Sequence, residues 1–96
     1  MPQSAIVVDV KDNVATALRP LEQGTSVHLE TEDKSLDIVL RQAVPMGHKF
    51  ALKDIEPGQP IIKYGETIGR ATRKIMKGEH THVHNVEGLR GRGDRR

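Results

Sequence analysis

The sequence of 96 residues contains no cysteine and no tryptophan, and it has only one tyrosine and one phenylalanine. Without cysteine, the chain can form neither a disulfide nor a thiolate metal site. The shortage of aromatic residues means that the core must be built from valine, isoleucine, leucine and alanine. A chain of this length is expected to form one domain around one small core, which leaves no room for a separate substrate domain.

Long apolar runs are also absent, since no segment approaches the roughly 20 apolar residues of a membrane-spanning helix. The opening MPQSAIVVDVKD has a short apolar run, but it contains an aspartate and lacks the basic start of a signal peptide. The sequence also has no P-loop, no dinucleotide fingerprint and no Ser-His-Asp pattern. These absences predict a soluble, cytoplasmic protein with no membrane partner.

The net charge of +2 arises at the C-terminal end of the chain, where residues 90–96 hold four arginines and one aspartate. The remainder is close to neutral, and only Phe50 and Tyr64 are available to stack on bases, so we expect no nucleic-acid partner. The glycine and arginine content of residues 88–96 predicts a flexible tail. It follows a domain predicted to comprise residues 1–87.

Short apolar segments alternate with turn signals throughout that domain. The segments most typical of strands are residues 5–10, 14–21, 26–30, 36–44, 48–52, 61–65, 67–75 and 80–86. None shows roughly 10–12 residues of clean helical periodicity, and the loop 53–60 allows at most a single helical turn. The pattern predicts an all-β domain of seven or eight short strands, folded into a barrel or clip.

The run His80-Thr81-His82-Val83-His84 is the outstanding candidate for a functional site. In a strand, the three histidines would share one face, while Thr81, Val83 and Asn85 would point to the other. Neutral imidazole is a common metal ligand, so such a face can contribute to a divalent metal site. The alternative is a solvated polar strand face with no ligand.

Spacing limits how many of these histidines can bind one ion. Neighbours on one face of a strand lie about 6–7 Å apart, which is too far for three bonds of ~2 Å without bending. One or two ligands from this strand are therefore favoured. The others would come from His48, Glu66, Glu79 or a partner chain.

Residues at three further positions can contact a ligand. His48 follows the turn signal Pro45-Met46-Gly47, where a histidine can also serve as a capping residue. Tyr64 and Glu66 flank a glycine between two strands, in what can equally be an ordinary hairpin turn. The lysines that can clamp a carboxylate, or that merely add solubility, are Lys49, Lys53 and Lys63.

An ordered series of motifs extends over about residues 11–86. It comprises Asp12-Asn13-Val14-Ala15, Leu21-Glu22-Gln23-Gly24, Gly47-His48-Lys49-Phe50-Ala51-Leu52, Asp54-Ile55, Gly58, Ile62-Lys63-Tyr64-Gly65, Ile68-Gly69 and Gly78-Glu79-His80-Thr81-His82-Val83-His84-Asn85. Together these motifs resemble the N-terminal module of the altronate dehydratase family. Related modules occur in galactarate dehydratase and in the small subunit of sulfolactate sulfo-lyase. The module belongs to the SAF group, so the resemblance implies a small β-clip fold.

The resemblance also implies a lyase that removes water from a 2,3-dihydroxy carboxylate, a small sugar acid, to give a 2-keto-3-deoxy acid. Family dehydratases carry a large catalytic region after this module, whereas this sequence stops at Arg96. The implied partner is therefore a separate large dehydratase subunit, and the chain alone is expected to be inactive. Family analogy implies a divalent metal, Fe²⁺ or Mn²⁺, and a homo-oligomer is a further option.

Within this interpretation, candidate roles fall on seven residues. The candidate catalytic residues are His48, His80, His82 and His84, because histidine can act as general acid or base near pH 7. The candidate metal ligands are His80, His82 and His84. The candidate substrate-binding residues are Lys49, Tyr64 and Glu66. The alternatives are a non-catalytic module that binds a carbohydrate acid or is purely structural, and a small subunit of a sulfo-lyase-like enzyme.

Overall fold

The computed structural model describes residues 4–31 and 35–88, and within them the chain forms nine short strands and no helix. The strands are β1 Ala5–Ile6, β2 Val14–Ala17, β3 Ser26–Glu30, β4 Ser35–Val39, β5 Lys49–Ala51, β6 Pro60–Lys63, β7 Glu66–Ala71, β8 His80–Thr81 and β9 Val86–Gly88. The all-β prediction is confirmed. The helical turn considered for residues 53–60 is not formed, because Glu56 and Gln59 close a β-turn there, with the Gln59 N–H donating to the Glu56 carbonyl at 3.0 Å.

The strands pair into three antiparallel sheets, ordered β1-β2-β5-β8, β6-β7-β9 and β3-β4. In the four-stranded sheet, one row of cross-strand partners consists of Thr16, Lys49 and Thr81, and the adjacent row consists of Ala15, Phe50 and His80. Since side chains alternate between the faces of a strand, the two rows point to opposite sides of the sheet.

Both faces of the four-stranded sheet are covered by apolar side chains. On one face, Phe50 and Ala15 pack into a core that includes the inward side chains of the β3–β4 hairpin, such as Leu29. On the other face, Val14 and Ala51 pack against the three-stranded sheet, including Ile61. Burial on two sides explains why β2 and β5 contain apolar residues at consecutive positions rather than at alternate ones.

Four turns of one geometry, the glycine turns, connect the strands at residues 22–25, 45–48, 56–59 and 76–79. Their third residues are Gly24, Gly47, Gly58 and Gly78, all with φ between 84° and 87°, as a type II turn requires. In each turn, the fourth residue donates its N–H to the carbonyl of the first. The turns associate in pairs, through reciprocal backbone hydrogen bonds of Leu21 with Val44 and of Ile55 with Ile75.

Residues 4–31 and 35–88 include no helix that is long and apolar enough to cross a membrane. Strand β9 ends at Gly88, the first residue of the predicted tail. The rest of that tail lies outside the described residues, so the boundary between residues 87 and 88 stays a prediction.

Candidate metal and substrate site

Two of the glycine turns deliver histidines to adjacent strands. His48 is the last residue of the turn 45–48 and precedes β5, while His80 follows the turn 76–79 and begins β8. Because β5 and β8 pair with Phe50 opposite His80, His48 and His80 lie on the same face of the sheet. Their atoms Nδ1 and Nε2, respectively, are 2.9 Å apart.

The third histidine reaches this pair because the chain turns away from the sheet. Strand β8 stops at Thr81, and residues 82–85 form a turn in which the Val86 N–H donates to the His82 carbonyl at 2.9 Å. The prediction of one strand over residues 80–86 is therefore wrong. The turn places the His82 ring centroid 4.2 Å from that of His48, with the two planes 20° apart.

Asn85 holds this turn in place from inside the protein. Its side chain is fully buried, with Oδ1 accepting the His82 N–H and Nδ2 donating to the His80 carbonyl, both at 2.9 Å. From the outside, the Gln42 side chain accepts the His80 N–H at 3.0 Å. Sequence reasoning placed Asn85 only on the face opposite the histidines. The tendency of asparagine to bond nearby backbone in turns is the signal that could have revealed its positioning role.

The histidine cluster, His48, His80 and His82, has three ring nitrogens that lie within 4.8 Å of one another. On a tetrahedral ion with bonds of 2.0–2.1 Å, ligand nitrogens are roughly 3.3 Å apart. Modest ring rotations would therefore bring all three nitrogens onto one ion. Imidazole suits iron well, whereas manganese prefers oxygen ligands, so the cluster fits Fe²⁺ better than Mn²⁺.

Local electrostatics keep the ligand nitrogens available. Burial lowers the pKa of His80 below its usual value, and positive charge on His48 would lower it further. Desolvation also lowers the pKa of His82, and positive charge on His48 would make the next largest contribution. Since only the neutral imidazole coordinates a metal, both residues are in the binding form near pH 7.

His84 and Val83 lie in the exposed turn. The His84 ring is 5.3 Å from the His80 ring and tilted by 44°, and its nitrogens lie outside the cluster. The metal-binding role of His84 stays a prediction, as do those of His80 and His82. Val83 is 81% exposed, so the prediction that it packs on the opposite face is wrong, because the strand ends before it. Thr81 and Asn85 are both buried.

Lys49 lies beside the cluster but on the other face of the sheet. With Thr81 and His82, it lines an open cavity of about 250 Å³. The remaining wall is formed by Ile68, Val83, Val86 and Gly88. Burial lowers the pKa of Lys49, and the Lys63 ammonium lowers it further. A larger cavity of about 420 Å³ lies elsewhere, near Val10 and Leu36, but no histidine lines it.

Tyr64 and Glu66 lie at the β6–β7 hairpin. Tyr64 and Gly65 have φ values of 58° and 73°, which identify a two-residue type I′ turn and confirm the predicted turn. The Tyr64 ring is exposed, and the Lys63 Nζ donates to its hydroxyl at 2.7 Å. Glu66 is also exposed. Among the described residues, the carboxylates of Glu66 and Glu79 are not part of the histidine cluster.

The fold and the cluster together define a small all-β module with a polar site at its surface. Residues 3–89 match the model of the altronate/galactarate dehydratase SAF domain. The chain belongs to this family, and the resemblance seen in the sequence is confirmed.

Individual relatives include both dehydratases and sulfo-lyases. The chain is 46% identical over 81 residues to altronate dehydratase of Escherichia coli strain K12, which covers 84% of this chain and 16% of that protein. It is 43% identical over 56 residues to the (2R)-sulfolactate sulfo-lyase subunit alpha of Chromohalobacter salexigens, which covers 58% of this chain and 60% of that subunit. The chain thus spans a small part of the dehydratase and just under two thirds of the sulfo-lyase subunit.

Proposed function

We propose that this chain is the small component of a lyase that removes water from a 2,3-dihydroxy carboxylate, and that a larger polypeptide completes the site. Family membership supports a lyase, since the relatives are dehydratases and sulfo-lyases. The chain matches only 16% of the altronate dehydratase, so most of such an enzyme lies beyond this module. Two of the relatives bear the name subunit alpha, which is consistent with a divided enzyme.

The observation that carries the proposal is the approach of three imidazoles at the surface, with His48 and His80 only 2.9 Å apart. Two apolar residues next to the histidines are exposed, Met46 by 65% and Val83 by 81%. Apolar side chains exposed beside a polar site are typical of a surface that another protein covers. We therefore place the larger polypeptide against this surface, where it would exclude water from the histidines.

In this proposal, His48, His80 and His82 hold a divalent ion, preferably Fe²⁺. When bound, the ion would draw charge from a substrate oxygen next to C2 and so make the C2 proton easier to remove. His84 is exposed next to the cluster, and it is proposed as the residue that exchanges a proton with the substrate. Tyr64 and Glu66 are proposed to bind substrate hydroxyls from the hairpin.

The reaction needs one base and one acid. A base takes the proton from C2, the C2–C3 double bond forms, and the C3 hydroxyl leaves as water after receiving a proton. The resulting enol gains a proton at C3 and loses the proton of its C2 hydroxyl, which gives the 2-keto-3-deoxy acid. Histidine can serve either role near pH 7, because its pKa lies close to that pH.

A second candidate is a sulfo-lyase, in which the leaving group is sulfite rather than water. The observation that favours it is the coverage of 60% of a sulfo-lyase alpha subunit, far more than of the dehydratases. Both candidates use the same proton removal next to a carboxylate. They differ in the leaving group, so substrate turnover separates them.

The test combines the full chain with its larger partner polypeptide and measures 2-keto-3-deoxy acid formation from D-altronate and sulfite release from (2R)-sulfolactate. We expect turnover only when both polypeptides are present. Turnover by either polypeptide alone would contradict the proposal, and full activity of the larger one alone would support a purely structural module.

Variants of single histidines test the site in the same assay. His48→Ala, His80→Ala and His82→Ala should each lose most activity and bound iron, measured by elemental analysis. His28→Ala is the matched control, because His28 is an exposed histidine on β3. Unchanged iron content in all three variants would rule out the metal site, whatever the activity.

A further inference from the structure

A row of three polar side chains crosses the four-stranded sheet on the face opposite the His48–His80 pair. The polar row consists of Thr16 on β2, Lys49 on β5 and Thr81 on β8, which are consecutive cross-strand partners. Cross-strand partners have Cβ atoms about 4.5–5.5 Å apart on one face. The lysine is therefore flanked by a hydroxyl on each side.

Both hydroxyls are buried without a bond. Among the described residues, Thr16 Oγ1 and Thr81 Oγ1 are the buried side-chain polar atoms that have no hydrogen-bond partner, and Thr81 is 0% exposed. Such groups are rare because an unpaired buried hydroxyl is unfavourable. Valine would fill the same space without this cost, so an unpaired threonine hydroxyl beside a lysine and a cavity is a candidate donor to a ligand.

Two members of the polar row, but not Thr16, line a cavity beside the histidine cluster. Lys49 and Thr81 line the cavity of about 250 Å³, and His82 lines it as well. The facing wall contributes the apolar side chains of Ile68 and Val86. An ammonium group and a hydroxyl donor at one end of a cavity with an apolar wall suit a carboxylate attached to a short carbon chain.

We propose that Lys49 and Thr81 bind the carboxylate of a small hydroxy acid, with the charge supplied by Lys49 Nζ and a hydrogen bond by the Thr81 hydroxyl. A carboxylate held there would place the next carbon atoms towards His82. This inference rests on the proposed function and deepens it, because it assigns the carboxylate end of the substrate to this chain.

The test measures binding to the full chain alone by NMR, with a chelator present so that no metal contributes. D-altronate and D-gluconate are titrated, and D-altritol and D-glucitol serve as controls because they lack only the carboxylate. We expect both acids to shift the amide signals of Lys49 and Thr81, and the alcohols to leave them unchanged. Equal shifts with the alcohols, or no shifts up to the solubility limit of the acids, would overturn the proposal.

Four substitutions sharpen the test. Lys49→Met should weaken binding of the acids about tenfold or more, as expected for loss of a charged hydrogen bond. Lys53→Met is the matched control, since Lys53 is an exposed lysine outside the polar row, and it should change affinity less than about twofold. Thr81→Val should weaken binding about five- to tenfold, whereas Thr16→Val, which removes an unpaired hydroxyl outside the cavity, should leave binding unchanged.

The threonine variants have a second readout that separates a ligand site from a structural role. If the hydroxyls are unpaired without ligand, Thr81→Val keeps or raises the melting temperature of the free chain while weakening the binding of the acids. A lower melting temperature with unchanged binding would mean that the hydroxyl serves the fold, which overturns the proposal. Since neither metal nor larger polypeptide is present, failure here is distinct from absence of lyase activity.

Discussion

The four glycine turns share one backbone geometry, yet they differ in the residues that follow the glycine. The following pairs are Thr25-Ser26, His48-Lys49, Gln59-Pro60 and Glu79-His80. The second and fourth lead into β5 and β8, which are neighbours in one sheet, and these are the two that carry histidines. The repeated turn geometry thus belongs to the fold, whereas the side chains that follow two neighbouring turns form the candidate site.

Gly78 differs from the glycines of the other three turns in how closely other atoms approach it. A Cβ atom at Gly24, Gly47 or Gly58 would meet no atom within 4 Å, but at Gly78 it would collide with the carbonyl oxygen of Val39. Gly78 therefore supplies both the positive φ of its turn and the close approach of β4. The turn with the strictest packing is the one that positions His80.

Replacing Gly78 should have the largest effect. Gly78→Ala is expected to lower the free energy of unfolding by about 3–4 kcal/mol, because the backbone must shift as well as adopt a strained φ. Gly58→Ala, the matched control, has only the φ strain and should lose about 1–2 kcal/mol. Urea unfolding of both variants measures the difference. Equal losses would show that backbone strain alone limits these turns.

A smaller loss of stability is expected when either of two buried asparagines is replaced. Each of them bonds two backbone groups. Asn85 bonds the backbone of His82 and His80, whereas Asn13 bonds that of Pro60 and Ile62. Asn85→Ala and Asn13→Ala should each lose about 2–3 kcal/mol, because buried groups become unpaired. Iron binding should fall only in Asn85→Ala. Equal loss of iron in both variants would mean that Asn85 does not position the histidine cluster.

The sequence predicted the class of fold better than the extent of its strands. Segments such as 26–30 coincide with a strand, since alternation of Val27 and Leu29 with polar residues reports a half-buried hairpin. The predicted strand 36–44 is too long: β4 stops at Val39, and Val44 forms only an isolated bridge. The apolar residues that immediately precede the glycine turns, Leu21, Val44, Ile55 and Ile75, are buried like strand residues, so hydrophobicity alone cannot mark where a strand ends.

The sequence predicted only part of the candidate site, again because it does not show where a strand ends. Histidines that share a short motif suggested a cluster, but period-two reasoning fails once the chain turns after Thr81, and it misplaced Val83. The partnership of His48 with His80 depends on the pairing of β5 with β8, a contact between residues 32 positions apart. The polar row depends on pairing across three strands, so the chain order of Thr16, Lys49 and Thr81 gives no sign of it.

The smallest expected effect concerns His28, a histidine that lies away from the glycine turns. Its Nδ1 and Nε2 lie 2.8 Å from Asp37 Oδ1 and 3.2 Å from Glu30 Oε2, on the exposed face of the β3–β4 hairpin. The hydrogen bond with Asp37, followed by that with Glu30, raises the pKa of His28, whereas burial lowers that of His80. The two histidines should therefore titrate in opposite directions from the usual value.

For His28, the protonated form is favoured in the folded state. Its contribution to stability is complete below the unfolded pKa of about 6.5 and is lost as the pH rises through the higher folded value. The stability advantage of the native chain over His28→Gln should thus be measurable near pH 5.5, vanish at about pH 8.5, and weaken in salt. Urea unfolding of both proteins at the two pH values, with Asp37→Asn as a second variant that removes the stronger partner, checks this. An advantage that grows towards high pH would show that the imidazole stabilises the hairpin as a neutral group, through packing rather than charge.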